Sequence, residues 1–245
     1  GSGRCNSGGG EYNWDMIRKV VGVLLGHTVF WIPFTLYLAW LLHCHGVTPL
    51  DLSPANFPSP LEVFVHSVLA SVVFNEFFYF YIHRLLHVNT IRVGRYTIPV
   101  NLYKRFHKQH HEFTAPCALA AIYCHPVELI LADFLPLGSG IFLLGTHAAT
   151  GLVFTISVVL GTQTHHCGFR WPWSFLDDQP HLHDLHHECF NYNFGNVGYL
   201  DYLHGTLLPP NKAKPTAPRH PETKTDAKAA DLPATPVGAV HLKQK

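Results

Sequence analysis

His183-Asp184-Leu185-His186-His187 places three imidazoles in five residues, with His183 and His187 four apart. On a helix that spacing sets both rings on one face, with His186 beside them. The pattern returns at His107-Lys108-Gln109-His110-His111, and a shorter relative stands at His83-Arg84-Leu85-Leu86-His87. Neutral imidazole is the commonest metal ligand near pH 7. The eight rings of these three clusters are more than one tetrahedral ion can use. They suit two metal ions a few ångströms apart. A surface helix that merely happens to be rich in histidine does not account for a spacing that repeats beside apolar spans.

The composition around these clusters is not that of an ordinary soluble domain. Hydrophobic residues make up 47% of the 245 residues and charged residues 13%, about half the usual charged share. That shortage of charge points to a membrane. The length allows one domain with a substantial core. A formal net charge of +1 argues against a broad nucleic-acid-binding surface. The six cysteines, Cys5, Cys44, Cys117, Cys124, Cys167 and Cys189, are scattered without a Cys-x-x-Cys pair. They read as free thiols.

In chain order, Gly1–Gly10 is polar and Gly/Ser-rich, unlike a cleavable signal peptide. A first apolar span runs from about Val20 to His43, with Pro33 as a tolerated kink. A Pro/Ser-rich loop over residues 46–60 follows. A second span, from about Leu61 to Leu86, carries Glu76 in an aromatic stretch; a carboxylate at that depth usually faces a bundle interior. Two further apolar stretches, about Cys117 to Leu137 and Ile141 to Leu160, are joined by Gly138-Ser139-Gly140, which reads as a turn. Arg18 and Lys19 precede the first span, and Arg84, Arg92, Arg95, Lys104, Arg105 and Lys108 follow the second. The positive-inside rule then puts both termini and all three histidine clusters in the cytosol, and both hairpin turns on the other side. From Pro209 the chain turns Pro/Ala/Lys-rich, which reads as a disordered tail.

The expected fold is therefore an all-α integral membrane protein, with about four transmembrane helices and a cytosolic helical cap carrying a histidine-rich dinuclear site. The expected division is a flexible segment over 1–19, a first transmembrane helix and non-cytosolic loop over 20–60, a catalytic domain over 61–208 and a tail over 209–245. Imidazole alone does not choose among Fe, Zn, Cu and Ni. The His-Glu-x-x-His pattern of helical zinc hydrolases is absent, as is any Gly-x-Gly-x-x-Gly fingerprint. An oxygen-activating di-iron centre needs open coordination positions, outside electrons and an apolar route to a C–H bond. Helices emerging from a bilayer supply that route.

The three clusters together resemble the boxes of the fatty acid hydroxylase / sterol desaturase superfamily. Tyr81-Ile82-His83-Arg84-Leu85-Leu86-His87 looks like its first box, and Phe106-His107-Lys108-Gln109-His110-His111 like its second. His183–His187 resembles the third, followed by Asn191-Tyr192-Asn193-Phe194-Gly195 and by Asp201-Tyr202-Leu203-His204-Gly205-Thr206. His166-Cys167-Gly168 is similar to another family element, and His125-Pro126-Val127-Glu128 to one of the sterol 4-methyl oxidase branch. The likeness covers about Asn75 to Thr206 and is greatest to C4-methylsterol oxidase-like proteins, including the fatty acid hydroxylase domain-containing group. It implies metal ligation by His83, His87, His107, His110, His111, His183, His186 and His187, with His166 as a ninth ligand. His125, Glu128, Glu76, Asp184 and Asn193 are candidates for a further ligand or for groups that orient the rings. It also implies two iron ions, electrons from NAD(P)H through cytochrome b5 or a reductase, a sterol or similar lipid substrate, and an endoplasmic reticulum membrane.

Two alternatives accompany this reading. One is a fatty acid or sphingolipid hydroxylase or desaturase of the same superfamily. The other is a non-catalytic metal-binding pseudoenzyme. The interval from His87 to His107 is longer than the family pattern, and residues 93–100 read like an insertion. If that insertion displaces the second box, the site is incomplete; a rim loop can absorb it cheaply, since loop-closure entropy grows slowly with length.

Overall fold

The computed structural model describes residues 14–48, 50–113, 116–167 and 178–208. The segment to residue 13, the tail from 209 and Gly168 of the quoted element lie outside the described residues. Within them the chain is mostly helical. Helix α1 is Trp14–Cys44, α2 is Pro60–Leu86 and α3 is Pro126–Leu143. Helix α4 is Ala148–His165, α5 is Gln179–Cys189 and α6 is Tyr199–His204. Helices α1 to α3 are long and apolar enough to cross a membrane. Along α1 the side chains of Val21, Leu25, Val29, Phe30, Phe34, Leu36, Tyr37 and Trp40 are exposed. Such a surface, on a helix of membrane-spanning length, suits a hydrocarbon solvent.

The helix ends follow local chemistry. Pro60 stands at the first position of α2, where its missing N–H is no loss. Before it, the Ser59 hydroxyl accepts the Glu62 N–H and the Glu62 carboxylate accepts the Ser59 N–H, a reciprocal cap. His125 and His147 cap α3 and α4 through ring nitrogens that accept the N–H groups of Val127 and Ala149. His147 also donates from Nε2 to the Ser53 carbonyl. Beside it the Asp51 N–H donates to the Thr146 carbonyl and the Ala148 N–H donates to the Asp51 carbonyl. These bonds tie the α1–α2 loop to the α3–α4 turn at one end of the bundle.

Three expectations need correction. Gly138-Ser139-Gly140 is not a turn but lies inside α3, and the connection falls at residues 144–147. Gly140 serves packing: a Cβ there would sit 2.6 Å from the Cβ of Ala70 on α2, so its absence lets the two helices touch. The stretch from Cys117 is not part of that span, because a 3-10 turn over Ala118–Ile122 and a loop precede Pro126. The expected fourth span is not among the membrane-length apolar helices, which number three among the described residues. Thr150, Thr155, Ser157, Thr162, Gln163 and Thr164 dilute α4, and Ser157 and Thr162 return their hydroxyls to the carbonyls four residues back.

Two smaller differences follow. The fold is not purely α: β1 (Thr90–Val93) pairs antiparallel with β2 (Tyr96–Pro99) in a hairpin that turns at Gly94, whose φ of 61° suits glycine. Cys117 is disulfide-bonded, not a thiol; Cys44, Cys124, Cys167 and Cys189 stand outside disulfides. Scattered single cysteines carry no pairing information.

The α2–α3 contact is directly testable. Gly140→Val should lower the thermal unfolding midpoint of the detergent-solubilised chain through overpacking of about 1–3 kcal/mol. An unchanged midpoint would show that α2 and α3 are not in close contact there.

Candidate metal centre

The rings converge because four separate segments end at one place. His83 lies in the last turn of α2, and His87 caps that helix. A π-helical turn over Tyr103–His107 and a 3-10 turn over His110–Glu112 present His107, His110 and His111. His166 is the C-cap of α4. Helix α5 carries His183, His186 and His187, the last two in its final turn. The result is two groups of donors. His83, His87, His107, His111 and His186 form one, and His110, His166, His183 and His187 the other, with all donor atoms of a group within 4.8 Å of one another. These are the nine histidines expected from the sequence. The segment that reads like an insertion does not displace the second box: its stem closes through Val100 and Asn101 N–H to the Asn89 carbonyl and Leu102 N–H to the Val88 carbonyl.

Proton placement shows what these groups can hold. Neutral imidazole has one N–H and one lone pair. A carbonyl can only accept, so His83, His186 and His166 must donate from Nδ1 to the carbonyls of Phe194 (2.8 Å), Tyr192 (2.7 Å) and Thr162 (2.8 Å). His107 gives its Nδ1 proton to the Glu128 carboxylate at 2.6 Å. Each of these rings is left with a bare lone pair at Nε2. Yet His83 Nε2 and His107 Nε2 lie 3.1 Å apart. Further Nε2 pairs stand at 3.0 Å (His107–His111), 3.2 Å (His111–His186), 2.9 Å (His166–His183) and 3.1 Å (His183–His187). The single proton that His111 can place at Nε2 cannot serve both His107 and His186. Lone pairs brought together in this way repel unless a cation lies between them. The spacing suits one, because nitrogens about 2.1 Å from a common ion and at right angles are about 3.0 Å apart. The buried Nε2 of His87 has no hydrogen-bond partner, as a metal-facing nitrogen would not. The donor set fits two ions, one per group.

The secondary candidates divide. Glu128 orients a ring. Glu76 does not: its carboxylate accepts the N–H groups of Asn196 (2.6 Å), Val197 (2.7 Å) and Gly198 (3.1 Å), pinning the loop after α5 to α2. A Cβ on Gly195 would lie 2.5 Å from Glu76 Oε1, so glycine is required for that approach. Asn193 is buried but holds backbone, donating to the carbonyls of Leu182 and Leu208 and accepting from Leu208 N–H. His125 belongs to neither group because its Nδ1 caps α3. Asp184 is half-buried beside His183.

Sequence reading did not single out the carbonyls of Phe194, Tyr192 and Thr162, because every residue has one. It also did not single out Asp201 within the closing motif. Asp201 accepts the N–H groups of Phe194 (2.9 Å) and Gly195 (2.7 Å) and the Thr206 hydroxyl (2.7 Å), so it positions the carbonyl that holds His83. Tyr103 was missed too. Its ring lies 5.4 Å from that of His87, and burial pushes its hydroxyl up to about 12.

Burial holds His87, His107, His110, His111, His183, His186 and His187 well below the ordinary 6.5, with neighbouring rings adding to it. His166 is pushed down to about 4, again chiefly by burial. The folded rings therefore take up protons only at lower pH than the unfolded ones. Stability rises with pH through that window and is lost as pH falls below about 6.5. The metal-free chain should show a falling unfolding midpoint between about pH 7.5 and about pH 5.5, and a flat profile would contradict neutral buried rings. Separately, Glu76→Ala leaves the N–H groups of Asn196, Val197 and Gly198 without their acceptor, and the buried Gly198 N–H alone costs about 1–3 kcal/mol. It should lower both stability and metal stoichiometry, with Glu76→Gln intermediate; an unaffected stoichiometry would mean that the loop holds its rings without Glu76.

Comparison with known proteins places this centre in a family. Residues 68–206 match the model of the fatty acid hydroxylase family. Human fatty acid hydroxylase domain-containing protein 2 is 36% identical over 146 residues, covering 60% of this chain and 38% of that protein. Methylsterol monooxygenase 2-2 of Arabidopsis thaliana is 30% identical over 162 residues, covering 62% and 56%. Very-long-chain aldehyde decarbonylase GL1-8 of Oryza sativa subsp. indica is 30% identical over 199 residues, covering 77% and 68%. The chain thus spans about two-fifths of the first of these relatives. No solved structure matches it. With the family model matching more than half of its residues, the chain belongs to the fatty acid hydroxylase family.

Proposed function

We propose that the protein is a membrane-bound di-iron oxygenase that oxidises a C–H bond of a lipid, with a sterol C4-methyl group as substrate. The observation that carries the reading is the pair of adjoining all-histidine groups, five rings and four, beside the end of a membrane-length helix. His83, His87, His107, His111 and His186 would hold one iron, and His110, His166, His183 and His187 the other. When bound and reduced, the irons supply oxygen activation and the oxidation of the C–H bond.

The protein's own residues do the rest. Carbonyls and Glu128 keep the protons of four rings at Nδ1, so Nε2 faces the metal without a competing proton. Glu76 and Asp201 hold the loop that carries two of those carbonyls. Burial of the centre excludes water. Electrons would come from NAD(P)H through cytochrome b5 or a reductase. The histidine end and both termini would face the cytosol from an endoplasmic reticulum membrane, as the basic segment 84–108 favours.

The sterol assignment draws on the His125–Glu128 element and the relationship to methylsterol monooxygenase 2-2. The equal identity to a very-long-chain aldehyde decarbonylase favours a second reading, a long-chain acyl or aldehyde substrate.

Chain expressed in iron-supplemented cells should carry about two irons. His110→Ala with His187→Ala should leave about one, and His107→Ala with His186→Ala should likewise remove one. Supplied with reductant, O₂ and a 4-methylsterol, the protein should yield a product with oxygen on that methyl group. One metal or fewer in the parent chain would overturn the binuclear site. Oxidation of an acyl lipid in place of the sterol would select the second reading. Glu128→Gln should weaken metal affinity about 10–100-fold without unfolding the chain.

A further inference from the structure

The hairpin over residues 90–99 contributes no group to the metal centre, yet its two faces differ sharply. Its register opposes Ile91 to Ile98 and Val93 to Tyr96, and Thr90 to Pro99 and Arg92 to Thr97. Directly opposed residues of a two-stranded ribbon share a face, and successive residues alternate. One face is therefore Ile91, Val93, Tyr96 and Ile98, and the other Thr90, Arg92, Thr97 and Pro99. The four members of the first face are 42%, 56%, 61% and 46% exposed. A bare two-stranded hairpin is at best marginally stable in water. An exposed all-apolar face on one calls for an occupant.

Position and charge identify it. The stem residue Asn89 lies three residues beyond Leu86, the end of the membrane-length helix α2. Strands of four residues reach about 13 Å, more than the roughly 5–8 Å interfacial layer on each side of a bilayer core. Arg92 and Arg95 belong to the hairpin, and Arg84, Lys104, Arg105 and Lys108 flank it, with no Asp or Glu between 84 and 108. None of the six forms an ion pair among the described residues. Arg95 stacks 5.2 Å above the Tyr96 ring and donates to its hydroxyl, an aromatic–cation tip suited to a headgroup layer.

We propose that residues 90–99 form an interfacial anchor. The Ile91, Val93, Tyr96 and Ile98 face lies in the headgroup–acyl boundary of the leaflet next to the histidine centre. The basic residues sit among anionic headgroups. The hairpin stem leads directly into the turn that carries His107, so the anchor sets the height of the second box above the bilayer. This inference needs the chain to be a membrane protein but not the di-iron chemistry.

The test uses the full chain in nanodiscs of phosphatidylcholine with about 30% phosphatidylserine, an anionic lipid. Photoreactive benzoylphenylalanine is placed at Tyr96, or at Thr97 on the opposite face. Illumination should give lipid adducts several-fold more abundant at position 96 than at 97. Equal yields, no lipid adduct, or adducts to a second copy would overturn the anchor. In the unsubstituted chain, amide exchange over residues 91–98 should be several-fold slower in these nanodiscs than in pure phosphatidylcholine. Equal rates would overturn the headgroup contact.

Discussion

The structure turns on imidazole nitrogens whose lone pairs face one another. Nε2 atoms of His83 and His107 meet at 3.1 Å after both rings have committed their protons to Nδ1 acceptors. With Glu128 ionised, neither nitrogen has a hydrogen to offer the other. A cation between them relieves the repulsion, so folding around these rings and binding of metal are coupled. The cost is borne by the acceptors on the far side of each ring: three carbonyls and one carboxylate.

Those acceptors explain why carboxylates and glycines sit where they do. Glu76 is buried in α2, where a charge would be expensive, but it satisfies three successive N–H groups of the loop after α5. Asp201 holds the same loop from α6. Between them Gly195 leaves no room for a side chain. The loop so fixed presents Tyr192 and Phe194 carbonyls to His186 and His83. A chain of ordinary hydrogen bonds thus runs from a membrane-length helix to the ring nitrogens.

The two groups are not equivalent. In the five-ring group, three rings have their Nδ1 protons held, one of them by a carboxylate; in the four-ring group, the Thr162 carbonyl holds His166. The rings come from helix ends and short turns, where the chain changes direction at the rim of the bundle. The hairpin at residues 90–99 extends that rim without disturbing it, because its two ends meet at Asn89.

Much of this was legible from the residues alone. The spacing of His183, His186 and His187 dictates a common helical face, and the shortage of charge dictates an apolar solvent; both follow from period and composition. Tertiary structure decided what depends on distant partners. Gly138-Ser139-Gly140 has turn-like composition, but contact with Ala70 makes it helix, since small residues serve close packing as well as turns. Glu76 looked like a group to orient a ring and instead holds backbone, because its partners lie about 120 residues away. Residue type specifies which atoms can ligate or donate. Only the folded chain settles which acceptor each ring meets, and hence which nitrogen is left bare for a metal.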